Sequence, residues 1–190
     1  MSSIEEDLRT WSREVLEVPN QSLKGLSACP YAKEAWKKDK VLVVETDDVY
    51  ADSLRHCADF TTTGKELVVV ASYNIPKLNK FNKYVKNLNI LFENLHCMEF
   101  HPDYGAEDAE LDFLYDNDWE SSVSKPYCMV FIQDLKQVVH ASDKLQRLGY
   151  YDVYPEDEYE ELVVNRKRRL TDGYETSFYE EKTDGNEARW

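Results

Sequence analysis

Two apolar runs, VLVVE at 41–45 and ELVVVAS at 66–72, constrain what this chain can fold into more than any other feature. Both are rich in β-branched residues, continuous rather than alternating, and too short for helices. Such runs suit strands buried on both faces. Buried strands need cover, and the segment between them supplies it. Asp47 or Asp48 can cap a helix from Val49 to about Phe60, and TTTGK (61–65) returns the chain to the second strand. The fold is thereby restricted to a sheet with helices packed on it.

The rest of the chain extends this pattern. Leu8, Trp11, Val15 and Val18 recur at helical spacing within residues 4–18, with acids in the first turn. Pro19 and Asn20 end that helix, and Pro30 can open a short one carrying Tyr31 and Trp36. Leu78, Phe81, Val85, Leu88, Phe92 and Leu95 mark the clearest helix, expected from Ile75 to Leu95 with Asn74 as its cap. HCMEFH (96–101) and YCMVFIQ (127–133) read as further strands. Asp134 caps a last helix with an inner face of Leu135, Val138, Val139, Leu145 and Leu148, and Gly149 stops it.

The expectation is an α/β (α+β) domain over residues 1–151, with about four strands packed by helices. Ferredoxin-like and thioredoxin-like variants are equally allowed. Residues 152–190 form an extension of mixed charge, partly helical or disordered. Its acids precede its bases in YPEDEYEELVVNRKRRL, as the helix dipole favours.

The formal net charge of −14 argues against nucleic acid or an anionic membrane as the main partner and permits a basic protein partner. No apolar run approaches the ~20 residues that span a bilayer. The opening MSSIEEDLRTW has neither the basic start nor the apolar stretch of a secretory signal, so a cytoplasmic setting with free thiols is expected.

Chemistry concentrates at two turns. Cys29 precedes Pro30 at the start of a short helix, where the helix dipole favours thiolate. His101 precedes Pro102 at the end of a strand, where an imidazole is suited to acid–base work and Asp103 can orient it. Strand alternation puts Cys97, Glu99 and His101 on one face and the mostly apolar set His96, Met98 and Phe100 on the other. The apolar set is expected to meet the helices and the polar set to line a half-solvated face. His56-Cys57 and His96-Cys97 repeat a His-Cys pair, but neither matches a metal-ligand spacing. The Asp116-Asn117-Asp118 stretch lacks the glycine and distant glutamate of a calcium loop. GxGxxG, Walker, GxSxG and HExxH motifs are missing, so no cofactor is assigned.

Trp11, GLSACPYAK (25–33), FHPDY (100–104) and KPY (125–127), in that order, resemble a bacterial domain family of unknown function, the DUF fourteen-fifteen family. The matching positions are Cys29, Pro30, Ala32, His101, Pro102, Tyr104, Pro126 and Tyr127, and the likeness runs from about Trp11 to Leu148. It implies a compact α/β domain with a shared pocket, and no known activity. Where the family carries Asn-Arg-Ser before Pro-Tyr, this chain has Val123, Ser124 and Lys125, so the bidentate grip of an arginine on an anion is replaced by a point charge.

Three functions follow. The first is an enzyme acting on a small molecule, with Cys29, His101 and Asp103 catalytic and Tyr31, Tyr104, Lys125 and Tyr127 binding the substrate. It requires Cys29 and His101 to converge in one pocket. The second is a metal protein using His101 with Cys29, Glu99 or Asp103. The third is a non-enzymatic interaction protein whose acidic loop (103–122) and tyrosine-rich tail contact a basic partner.

Overall fold

The computed structural model describes residues 3–103, 121–123 and 127–172. Helix α1 (Ile4–Trp11) opens on a reciprocal cap, in which the Ser3 hydroxyl accepts from the Glu6 amide and the Glu6 carboxylate accepts from the Ser3 amide. It continues as a wider π-helical turn, Ser12–Leu16. There follow α2 (Ala32–Lys37), β1 (Val41–Glu45), α3 (Val49–Ala58), β2 (Leu67–Ser72), α4 (Leu78–Leu91), β3 (Leu95–Phe100), β4 (Cys128–Asp134) and α5 (Leu135–Arg147). The C-terminal stretch is helical from α6 (Glu156–Tyr159) through a π-helical turn (Glu160–Asn165) to α7 (Arg166–Asp172).

The expected α+β architecture is present: a mixed four-stranded sheet in the order β1-β2-β4-β3, with helices packed on it. Strands β1 and β2 pair in parallel, while β4 pairs antiparallel with both β2 and β3. Hence β1, β2 and β3 all run the same way, and their carboxyl ends share one edge of the sheet with the start of β4.

Both faces are covered. On one, Val68, Val70, Cys97, Val130 and Ile132 pack against Val49 and Cys57 of α3 and Phe81, Val85 and Leu88 of α4. On the other, Val69, Ala71, Met129 and Phe131 meet Ile4 and Leu8 of α1, with Trp36 of α2 alongside. A third cluster, Leu23, Leu145 and Tyr150, ties the end of α5 to the loop after α1.

Four expectations need correction here. Cys97 and His101 do not lie on a half-solvated polar face, because α3 and α4 cover it and both are buried. Helix α4 is shorter than its periodicity suggested. Pro76 disfavours helical geometry at Ile75, and Leu95 belongs to β3, its amide closing a turn onto the Phe92 carbonyl. Asn74 is no cap. Its side-chain amide donates to the Asp47 carbonyl instead. Leu148, placed on the inner face of α5, is 70% exposed. Asp48 and Asp134 do cap α3 and α5, and Gly149 ends α5 in the left-handed conformation.

The extension packs onto the domain. Val163 is buried, and the Arg169 guanidinium donates to the carbonyls of Asn89 and Leu95, joining α7 to the end of α4 and the start of β3. Residues 173–190 of the extension lie outside the described residues.

Candidate functional site

His101 follows the last residue of β3 and turns toward α4, where its ring lies 5.8 Å from that of Phe81. Its Nδ1 accepts from the Asp103 amide at 3.1 Å, and its Nε2 stands 2.8 Å from the Pro76 carbonyl. A carbonyl only accepts, so Nε2 carries the proton and Nδ1 the lone pair. Asp103 does orient the ring, through its backbone N–H, with its carboxylate 3.7 Å from Nδ1. Both ring nitrogens are therefore engaged in holding the β3 end to the loop before α4. His101 acts here as a clamp between two loops.

Cys29 belongs to a different layer. Its amide donates to the carbonyl of Leu16 at the end of the α1 extension, and next to it the Tyr150 hydroxyl donates to the Ala28 carbonyl. The thiol does sit before α2 and receives hydrogen bonds from the Tyr31 and Ala32 amides, which favour thiolate. Burial outweighs them, and the thiol is pushed up from its ordinary value. Tyr31, its neighbour, is exposed, and its hydroxyl is also raised, by burial and then by Tyr151.

The neighbours of Cys29 (Leu16, Tyr31 and Ala32) and those of His101 (Pro76, Phe81 and Asp103) do not overlap, and the expected nucleophile–base contact is not among them. Of the proposed substrate-binding residues, Tyr104 and Lys125 lie outside the described residues. Tyr127 is buried at the start of β4, its ring 5.8 Å from that of Tyr73, and its hydroxyl is pushed up to about 12 by burial and then by Asp7. Among the described residues no three His, Cys, Asp or Glu side chains gather as a metal site. The two His-Cys pairs converge only through their cysteines. The thiols of Cys57 and Cys97 stand 3.6 Å apart in the core, and the Cys97 thiol is raised by that contact and by burial.

What the topology does build lies at the carboxyl edge of the sheet. The turns after β1 and β2 border a cleft of about 500 Å³ there, lined by Asp47, Asp48, Val49, Tyr50, Tyr73, Asn74, Ile75 and Pro76. The walls are held from several sides. Asn74 donates to the Asp47 carbonyl, Cys128 lies against the Ser72 and Asn74 carbonyls, and His101 grips Pro76. Asp48 is occupied in capping α3 through the amides of Tyr50 and Ala51. No hydrogen bond or ion pair holds the Asp47 carboxylate among the described residues. Tyr73 and Ile75 stand exposed at the rim, 45% and 40%, and the Tyr50 hydroxyl is raised by partial burial.

Sequence reasoning placed His101 at a turn and Tyr127 at the start of a strand but missed this cleft. The available signal was the pair of polar turns, Thr46-Asp47-Asp48 and Tyr73-Asn74, each directly after a buried strand.

Comparison with protein-family models, curated proteins and solved structures gives no match. No helix among the described residues is long and apolar enough to cross a membrane.

Proposed function

We propose that this protein is a non-enzymatic interaction module that receives a basic segment of a protein partner in the cleft at the carboxyl edge of its sheet. The observation that carries this reading is the Asp47 carboxylate, which has no hydrogen bond or ion pair among the described residues, at a cleft walled by Tyr50 and Tyr73. A guanidinium or ammonium group suits such a place, because it can pair with the carboxylate while lying against an aromatic face. Exposed Tyr73 and Ile75 at the rim favour a macromolecular partner over a bare ion, since apolar rim groups gain only from burial against another surface. The overall charge of −14 steers a basic partner toward the molecule and raises its encounter rate.

The other readings have less support. A small-molecule enzyme needs Cys29, His101 and Asp103 around one pocket, and a metal protein needs a ligand set around His101. Neither arrangement occurs among the described residues. Kinship with the DUF fourteen-fifteen family is proposed on motif order alone.

The test is fluorescence anisotropy with a labelled Arg-Gly repeat peptide at two ionic strengths. Any protein this acidic attracts such a peptide, so the comparison that decides is between variants of equal charge. Asp47→Asn combined with Tyr73→Ala should weaken binding at least about fivefold. Asp157→Asn, which neutralises an exposed acid on α6, should change it by less than about twofold. Equal losses in the two variants would refute a localised site.

A further inference from the structure

A second cleft, of opposite polarity, lies between α1 and α2, with a volume of about 360 Å³. Its lining carries Arg9 and Arg13, one helical turn apart on α1 and its extension, facing Lys33, Trp36 and Lys37 of α2. In a chain with 37 acids and 23 lysines and arginines, four cations around one indole run against the composition.

Two of the four are internally matched. The Arg9 guanidinium lies 4.4 Å over the Trp36 ring and pairs with Glu5 at 2.9 Å, while Lys37 stands 3.9 Å from Glu34. The other two are not. Arg13 donates only to neutral acceptors, the Arg9 carbonyl and the Thr10 hydroxyl, and Lys33 has no hydrogen bond or ion pair among the described residues. The acids that line the cleft form no ion pair with either: Glu6 is bound into the cap of α1, and Glu17 accepts from the Ser12 hydroxyl. Two cations with no carboxylate in ion-pair contact among the described residues thus flank an aromatic surface already held in place by Arg9.

We propose that this cleft binds a small anion that carries a flat apolar group and a phosphate or carboxylate head. Arg13 and Lys33 take the charged head, Arg13 through its planar donor fork, and the flat group rests against Trp36 and Arg9. The volume suits a ligand of that size. This site is independent of the basic-partner cleft and rests on different residues.

Isothermal titration of the whole protein with phenyl phosphate, benzoate and inorganic phosphate tests it. Phenyl phosphate or benzoate should bind with a dissociation constant of about 1 mM or tighter, and whichever binds better identifies the head group. Arg13→Gln with Lys33→Gln should weaken that binding about tenfold or more, and Lys33→Arg should retain it. Trp36→Ala should weaken the aromatic ligands but not inorganic phosphate. Arg13 and Lys33 are exposed, so these variants keep the fold, and an unchanged circular dichroism spectrum checks this. The proposal is overturned if neither aromatic anion binds below about 10 mM, or if the double variant binds as well as the parent.

Discussion

Replacing His96 with leucine, and following urea stability from pH 7 to pH 5, isolates a single buried imidazole. His96 is buried on β3 beside Arg166 and Arg169 of α7, and neither ring nitrogen has a hydrogen-bond partner among the described residues. Burial, then the two guanidinium groups, holds its pKa well below the ordinary value. The folded protein therefore keeps His96 neutral while the unfolded chain protonates near pH 6.5. The stability this confers is complete above the unfolded pKa and is lost as pH falls toward the folded one. With one proton taken up only by the unfolded state, the loss between pH 7 and pH 5 is about 2 kcal/mol. At a urea dependence of about 2 kcal/mol per molar, the midpoint moves by about 1 M. His96→Leu should remove that part of the slope. Other groups that titrate across the range, such as His56, whose pKa burial also lowers, act in both proteins and cancel. At pH 7 the variant should be at least as stable, because two unpaired buried polar atoms are replaced by carbon. Parallel pH profiles would refute the reasoning, as would a loss above about 1 kcal/mol at pH 7.

Other consequences are open to measurement. Phe81 is fully buried between α3, the sheet and His101, so Phe81→Ala should cost about 3–5 kcal/mol in urea unfolding. Gly149 has a φ of +75°, and an added Cβ would stand 2.8 Å from a carboxylate oxygen of Asp152. Gly149→Ala should cost about 1–3 kcal/mol in thermal unfolding, whereas a change within a few tenths would show that the turn relaxes freely. The Cys29 thiol, raised by burial, should react with iodoacetamide at pH 7 at least about tenfold more slowly than free cysteine; faster reaction would restore the activated thiol expected from its place before α2.

Much of the fold was legible because its signals are local. The β-branched runs at 41–45 and 66–72 lie where β1 and β2 form, and Asp48 and Asp134 cap the helices they precede. These depend on backbone geometry and on neighbours a few residues away. The polar reading of Cys97, Glu99 and His101 failed for the opposite reason. Alternation assigns side chains to faces, but whether a face meets water depends on where α3 and α4 go. Cys29 shows the same limit: the helix-end effect read from sequence is present, and burial by distant residues outweighs it.

The sequence alone determined the strands, the caps at Asp48 and Asp134, the stop at Gly149 and the amphipathic helices, since each follows from propensity and periodicity within one segment. Only the tertiary structure decided that β4 enters between β2 and β3, because strand order is set by contacts far apart in the chain. That single insertion brings the carboxyl ends of β1, β2 and β3 to one edge. It places His101 against Pro76 and Phe81, at the start of α4, and sets the Asp47–Tyr73 cleft at that same edge.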